Sequence, residues 1–171
     1  MRLFTAAILA VALVLSGTLA PAQTEKAHQA GSSCIYCGMD RQKFAHSSML
    51  IEYEDGSTAA TCSIRCAAID FAVNIGKTPR AIKVGDYNTR EPIDAVTACW
   101  TIGGDIQGVM TSRAKWAFGK KADCEKFAGE HKARIASFED AMKAAYEDMY
   151  ADTKMIRDKR KAMKTQPRQH Q

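Results

Sequence analysis

Two pairs of closely spaced cysteines constrain this chain more than any other feature of its sequence. Cys34 and Cys37 form a C-x2-C pair, and Cys62 and Cys66 form a C-x3-C pair, with 24 residues between the two pairs. Two cysteines at such spacing can both point at one ion because the chain turns tightly between them, and a second pair completes a tetrahedral sulfur set. The sequence therefore predicts a four-thiolate metal site.

The elements predicted around these cysteines agree with a metal site. Alternation of apolar residues and turn signals predict a cysteine knuckle at 34–40, a hairpin of strands at 49–53 and 57–62, and a helix over 64–75. Ser63 can cap that helix, and Cys66 falls in its first turn, where the partial positive charge of the helix favours thiolate over thiol. The order of knuckle, hairpin and helix is typical of a treble-clef metal site.

Other uses of the cysteines stay open at this point. Four thiols in an oxidising compartment can form two disulfides, and six cysteines permit fifteen full pairings. Haem attachment is excluded because Gly38 stands where C-x-x-C-H needs histidine. A thioredoxin-type redox pair is disfavoured because C-x-x-C opens no helix here. Cys99 is interpreted as a buried free thiol in an apolar strand, and Cys124 as a small helical residue rather than a ligand.

Soft sulfur donors near the knuckle favour copper. Met39 lies two residues after Cys37, and thioether sulfur suits Cu(I) while adding little for Zn(II). Met110 is a candidate second soft ligand, with burial in a strand as the alternative. His46 is interpreted as a surface histidine, with a ligand role as the alternative, and Met49 as strand core.

The first 22 residues predict export. Arg2 precedes an apolar run over 3–15, which is too short to span a bilayer, and Ala20-Pro21-Ala22 gives a signal-peptidase pattern. We expect a signal peptide at 1–22, a linker at 23–33 and a soluble periplasmic or extracytoplasmic mature chain. Thr18 stands where a lipobox would carry the lipidated cysteine.

The end of the chain is strongly basic. Residues 154–171 carry a net charge of +6 on seven cations, with one acidic residue: Lys154, Arg157, Lys159, Arg160, Lys161, Lys164 and Arg168 against Asp158. An exported protein meets little nucleic acid, so we expect no nucleic-acid partner. The remaining interpretations are a solvated helix end and transient contact with an anionic membrane surface or an acidic protein partner.

The rest of the chain predicts an α+β fold. Strands are expected at 80–84, 93–102, 115–118 and 133–137, and helices at 122–130 and from 138 onward. The last helix has an apolar stripe: Phe138, Met142, Ala145, Tyr146, Met149 and Ile156. We predict a mostly antiparallel sheet, a treble-clef-like cysteine element and a long C-terminal helix, in one metal-binding domain over 34–153 followed by the basic end at 154–171.

The knuckle C-x-x-C-G-M, the hairpin turn at Gly56 and the motif from Thr61 to Cys66 resemble the YHS and TRASH heavy-metal-binding modules. Over about 34–150 the chain resembles the NosL family, the copper-binding accessory proteins of nitrous oxide reductase. That resemblance implies an extracytoplasmic Cu(I) carrier with copper donors at Cys37, Met39 and Met110. Thr18 departs from the lipid anchor usual in that family, and the complete second cysteine pair, Cys62 and Cys66, favours structural zinc.

The expected function is therefore that of an exported Cu(I) carrier, or metallochaperone, which exchanges ligands with a client metalloenzyme or a membrane copper donor. The protein is not expected to be an enzyme, because no Ser/His/Asp set or acid–base pair stands at suitable spacing. Two alternatives remain: a binding module whose four cysteines hold structural Zn(II), and an exported thiol-redox protein in which Cys34 and Cys37 exchange electrons.

Overall fold

The computed structural model describes residues 31–165, so the predicted signal peptide, most of the linker and the last six residues of the basic end lie outside the described residues. The strands and helices of this part follow in chain order: β1 (Met49–Tyr53), β2 (Thr58–Thr61), α1 (Ile64–Val73), β3 (Pro79–Gly85), β4 (Pro92–Asp94), β5 (Cys99–Gly103), β6 (Lys115–Phe118), α2 (Lys121–His131), β7 (Ala133–Ala136) and α3 (Phe138–Thr165).

The strands form two antiparallel sheets, which confirms the predicted α+β class. One sheet has the order β2-β1-β3-β4, and the other has the order β6-β5-β7. The predicted hairpin is β1 paired with β2, with Met49 opposite Thr61 and Glu52 opposite Thr58. Since the cysteine knuckle precedes β1 and Cys62 follows β2, both pairs of cysteines lie at the same end of this hairpin.

The single strand predicted over 93–102 is wrong, because this segment is divided between the two sheets. β4 pairs with β3 in the first sheet, and β5 pairs with β6 and β7 in the second. The cause is a local turn. The carboxylate of Asp94 accepts hydrogen bonds from the backbone N–H and the hydroxyl of Thr97, which turns the chain before β5 begins. The indole N–H of Trp100 then donates to the Ala95 carbonyl and fixes the crossover.

The first half of α3 covers the main apolar core. Phe138, Met142 and Ala145 of the predicted stripe are buried there among residues of β1, α1 and β5. Tyr146 is 43% exposed, so the stripe is narrower than predicted.

The helix predicted over 64–75 ends early. Asn74 donates both its backbone N–H and its side-chain amide to the Asp70 carbonyl, which closes α1 before Ile75 and leaves Ile75 92% exposed.

A second buried cluster joins the cysteines to the second sheet. It contains Cys34, Cys62 and Cys66 together with aromatic side chains of β6 and α2, and Cys37 and Met39 pack against it. Trp116 and Phe118 alternate on β6, and both are buried. The metal-site residues therefore share one apolar environment with the second sheet. Within residues 31–165, none of the helices has the length and apolar content that a membrane crossing requires.

Candidate metal centre

The structure brings the four predicted cysteines together. The sulfur atoms of Cys34, Cys37, Cys62 and Cys66 all lie within 4.8 Å of one another. The Cys37 and Cys62 sulfurs are 3.4 Å apart, and the Cys62 and Cys66 sulfurs are 3.8 Å apart. All four are unbonded thiols. We call this set the thiol cluster, and its spacing matches what one tetrahedral ion requires.

The knuckle that carries the first pair is held by backbone hydrogen bonds. The Gly38 N–H donates to the Cys34 carbonyl at 2.9 Å, and the Cys34 N–H donates to the Met39 carbonyl at 2.8 Å. Gly38 has a φ of +76°, a left-handed conformation that glycine adopts without a Cβ clash. The N–H of Ile35 donates to the carbonyl of Ala60, which attaches the knuckle to the edge of β2.

The second pair spans the junction of β2 and α1. Cys66 lies in the first turn of the helix, and its N–H donates to the Ser63 carbonyl at 3.0 Å. Ser63 occupies the N-cap position as predicted, but its hydroxyl makes no capping hydrogen bond. The buried hydroxyl of Ser47 donates to the Cys62 carbonyl at 2.9 Å and fixes this corner from the other side.

The thiols of the cluster cannot all ionise together without a cation. Contacts with the other three thiols, Cys37 first, lower the pKa of Cys34 far below its ordinary value. Contacts with Cys34 and Cys37, together with burial, raise the pKa values of Cys62 and Cys66. Negative charge is therefore favoured on Cys34 and disfavoured on Cys62 and Cys66, and a bound cation would stabilise every thiolate.

A buried carboxylate fixes the knuckle, and sequence reasoning missed it. Asp70 of α1 accepts a hydrogen bond from the Tyr36 hydroxyl at 2.5 Å and another from the Tyr53 hydroxyl. Burial and the hydrogen bond to this carboxylate raise the pKa of both tyrosines, so both hydroxyls remain donors. Because Tyr36 stands between the two knuckle cysteines, this pair of bonds ties the knuckle to α1 and β1.

Two of the predicted soft ligands, Met39 and Met110, pack against the buried cluster that contains the cysteines. Met39 and Met110, which are far apart in the sequence, line one pocket of about 360 Å³ together with His46. We call this the methionine pocket. His46 is half-buried, with its ring 5.3 Å from that of Trp116 and 5.9 Å from that of Tyr87, so its interpretation as a surface histidine is wrong. Burial, assisted by the charge of Arg90, lowers its pKa and keeps the imidazole neutral.

Met110 lies in a loop and is half-buried, so the alternative that it is a buried strand residue is wrong. Its φ of +61° is left-handed, which is uncommon for a residue with a side chain and recurs at functional sites. The loop is tied to α3, since the Ser112 N–H donates to the buried carboxylate of Asp152 at 3.0 Å and its hydroxyl contacts the Met155 sulfur.

A close approach of two backbone segments fixes the chain next to His46. A Cβ at Gly85, the last residue of β3, would lie 1.7 Å from the Ala45 carbonyl oxygen. Only glycine therefore fits at this position.

The remaining two cysteines form a disulfide. Cys99 of β5 and Cys124 of α2 are bonded, with their Cα atoms 6.1 Å apart. The interpretation of Cys99 as a free thiol is therefore wrong. Cys124 lies in a helix as predicted, and it is disulfide-bonded. The sequence neighbours of Cys99 and Cys124 do not indicate this bond, because it follows from the packing of α2 on β5.

The basic end of α3 reaches the thiol cluster. The guanidinium of Arg160 donates to the Cys37 carbonyl at 3.3 Å. Around it, the exposed positions between 154 and 165 carry the predicted basic residues. We call this the basic surface; its members within the described part are Lys154, Arg157, Lys159, Arg160, Lys161 and Lys164.

Comparison with known proteins identifies the family. The crystal structure of the copper chaperone NosL from Shewanella denitrificans matches with a TM-score of 0.51 at 20% sequence identity, covering 63% of this chain and 87% of that chain. None of the curated protein sequences matches. The family model described as NosL matches residues 25–146, which is well over half of the chain. On that match, the chain belongs to the NosL family.

Proposed function

We propose that this protein is a copper chaperone, which holds Cu(I) in the methionine pocket and passes it to a client in an extracytoplasmic compartment. The observation that carries this proposal is the convergence of Met39 and Met110, together with His46, on one pocket. Two thioethers and a neutral imidazole form a soft, uncharged donor set that suits Cu(I) and discriminates against harder ions. The structural relative is itself described as a copper chaperone.

The pocket supports transfer rather than storage. Met39 and Met110 are both half-buried, so a donor atom from another protein can approach an ion held between them. An incoming sulfur would bind the copper before the chaperone's own thioethers leave, and the ion would move without entering solution. Cys37, two residues from Met39 in the sequence, has its sulfur in the neighbouring thiol cluster. On this proposal, copper is cargo and the protein is not an enzyme.

The disulfide supports an exported location. Disulfides form and persist in oxidising compartments and are rare in the cytosol. Cys99 and Cys124 form such a bond, while the four thiols of the cluster remain reduced. This pattern agrees with the signal peptide that the sequence predicts at 1–22.

The basic surface supports an acidic client. It carries six cations against Asp158 and lies beside the knuckle through the contact of Arg160 with Cys37. An acidic surface docked there would come close to the metal-binding residues, and attraction between opposite charges would speed the encounter. The client that the family resemblance implies is nitrous oxide reductase, and we propose it as the recipient.

Anaerobic titration with Cu(I) against a coloured competing chelator tests the proposal. The wild-type chain should take one tight equivalent, and Met39→Leu and Met110→Leu should each weaken binding by at least about tenfold. Leucine keeps the volume of methionine and removes only the sulfur. Met163→Leu is the matched control, because Met163 is 65% exposed on α3, outside the pocket. Unchanged affinity in both pocket variants would overturn the proposal.

A further inference from the structure

We infer that an acidic protein docked on the basic surface promotes copper release, because it draws Arg160 away from the knuckle and shifts the part of α3 that holds the loop of Met110. Partner binding and copper release would then be coupled. The inference rests on the proposed function, since copper must occupy the methionine pocket. We call residues 152–165 the distal segment of α3, and residues 104–114, between β5 and β6, the Met110 loop.

The distal segment holds the Met110 loop. The carboxylate of Asp152 is buried and accepts the Ser112 N–H at 3.0 Å, and the Ser112 hydroxyl contacts the Met155 sulfur at 3.3 Å. Ser112 lies two residues after Met110, whose φ is +61°. A residue with a side chain keeps such a conformation only where its surroundings impose it. The contacts with α3 therefore help to hold Met110 at the wall of the methionine pocket.

The same segment contacts the knuckle, which carries the other methionine of the pocket. The guanidinium of Arg160 donates to the Cys37 carbonyl at 3.3 Å, and Met39 follows two residues later. Asp152 and Arg160 are eight residues apart, which is ~12 Å along a helix. One continuous helix therefore contacts both segments that carry the pocket methionines, and a movement of this helix would change the separation of the two segments.

The contacts of the distal segment leave buried charged groups incompletely satisfied. Within residues 31–165, one carboxylate oxygen of Asp152 and the Nε of Arg65 are buried without a hydrogen-bond partner. Arg65 donates to the Thr153 hydroxyl at 2.7 Å through another nitrogen, and the buried ammonium of Lys115 donates to Asp148 at 2.6 Å. Buried charged atoms without partners are unfavourable. The observed position of the distal segment is therefore less stable than a fully satisfied one, and attraction to a docked partner can shift it.

The basic surface lies on the least buried part of α3. Asp152 is the last buried residue of this helix, and every position over 157–165 is exposed. Most cations of the basic surface therefore belong to a helix end that apolar packing restrains little. Attraction to an acidic partner would act directly on this end.

Arg160 is the residue through which docking reaches the knuckle. Its acceptor, the Cys37 carbonyl, is neutral, and the hydrogen bond is exposed to solvent. A guanidinium can bind a carboxylate through two parallel charge-assisted hydrogen bonds, which a single carbonyl oxygen cannot match. A carboxylate of the partner would therefore take Arg160 from the knuckle, and the segment from Cys37 to Met39 would lose one of its restraints.

Equilibrium titration with a short poly-L-glutamate peptide tests the coupling. The full chain, loaded anaerobically with one equivalent of Cu(I), is titrated with a coloured competing chelator in the absence and in the presence of saturating peptide. The peptide should weaken the affinity for Cu(I) by at least about fivefold, the lower end of typical coupling between two sites. Because such coupling is reciprocal, Cu(I) should weaken binding of the peptide by the same factor. A polylysine peptide should leave the affinity for Cu(I) unchanged.

Two results would overturn the inference. One is an unchanged affinity for Cu(I) when the peptide is bound, and the other is failure of the peptide to bind the chain at low salt. Both would leave copper binding in the methionine pocket standing, because that is tested without peptide. Unchanged copper affinity in Met39→Leu and Met110→Leu would instead refute the proposed function, and with it the route through the pocket.

Arg160→Gln and Lys164→Gln form a matched pair of variants. Both remove one positive charge from the exposed basic surface, so both should fold and bind the peptide slightly more weakly. Arg160→Gln also removes the guanidinium that bonds to the Cys37 carbonyl, and the peptide should then change its copper affinity by less than about twofold. Lys164→Gln should keep the response of the wild-type chain. Equal responses in the two variants would overturn the inference, since the charge of the whole surface and not the contact of Arg160 would then determine copper release.

Discussion

The six cysteines of this chain divide into two regions that the protein holds together in opposite ways. Cys99 and Cys124 are 25 residues apart and form a covalent bond between β5 and α2. Cys37 and Cys62 are also 25 residues apart, and their sulfurs approach to 3.4 Å without bonding. In the second case two further thiols stand within reach, and hydrogen bonds to backbone and side chains keep the segments in place.

The difference teaches that separation along the chain does not determine the chemistry of a cysteine pair. An isolated pair in a compatible geometry forms a disulfide, which constrains the unfolded chain. A set of four with room for an ion remains adjustable, because its supports are hydrogen bonds that can open individually. The disulfide region then serves as a fixed platform, against which the ligand-bearing knuckle is positioned.

The largest expected effect comes from removing the disulfide. Cys99→Ala/Cys124→Ala should lower the free energy of unfolding by about 3.5 kcal/mol, as chain entropy predicts for a closed loop of this length. Denaturation in urea measures the loss. Zinc and copper stoichiometries of the folded variant should stay those of the wild-type chain, and a change in either would mean that the two regions are not independent.

The accuracy of the sequence predictions follows the same division. The hairpin and α1 were predictable because alternation and turn residues are local signals. The four cysteines come together because both pairs lie at the same end of that hairpin. The bond between Cys99 and Cys124 was not predictable, since it depends on the packing of α2 across β5. The hydrogen bonds from Tyr36 and Tyr53 to Asp70 were equally hidden, because nothing in the sequence marks a carboxylate that will be buried.

The methionine pocket was predictable only in part. The position of Met39 in the knuckle predicts a ligand role, whereas Met110 is predicted only as a second soft donor far away in the sequence. What places them in one pocket is the loop between β5 and β6, tied to α3 through Asp152. That tie joins residues 40 positions apart and has no periodic signature in the sequence.

A smaller effect should come from the hydrogen bonds that hold the knuckle. Tyr36→Phe removes one donor to Asp70 and should lower the free energy of unfolding by about 1–2 kcal/mol. Because Tyr36 belongs to the knuckle, we also expect Zn(II) loaded into the thiol cluster to be lost to a chelator roughly 5- to 30-fold faster, which is the rate change that such an energy produces. Stopped-flow mixing with a coloured chelator measures this rate.

Tyr53→Phe is the matched control for that variant. It removes the second donor to the same carboxylate, but from β1 rather than from the knuckle. Its stability should fall by a similar amount while zinc release stays at the wild-type rate. Equal acceleration in both variants would show that release follows overall stability and not the position of the knuckle.

The smallest effect should appear in acid, at the junction of the two sheets. Asp86 follows β3 and accepts the N–H of Gly119, just after β6, as well as those of Asn88 and Thr89. Burial acts to raise the pKa of this carboxyl, but the hydrogen bonds from these three N–H groups outweigh it and the pKa is lowered.

A carboxyl whose pKa is lower in the folded than in the unfolded chain stabilises the fold above its unfolded value of ~3.9, and this contribution disappears as the pH falls through its folded value. Asp86→Asn should therefore unfold more easily than wild type by about 1 kcal/mol at pH 7, and the two chains should converge below pH ~4. Urea denaturation with chelator present in both samples isolates the contribution of the carboxyl group to the free energy of unfolding, since neither chain then carries an ion. If the difference in free energy of unfolding between the two chains stays constant with pH, the junction depends on the shape of the Asp86 side chain and not on its charge. Acid would then not weaken the contact between the two sheets.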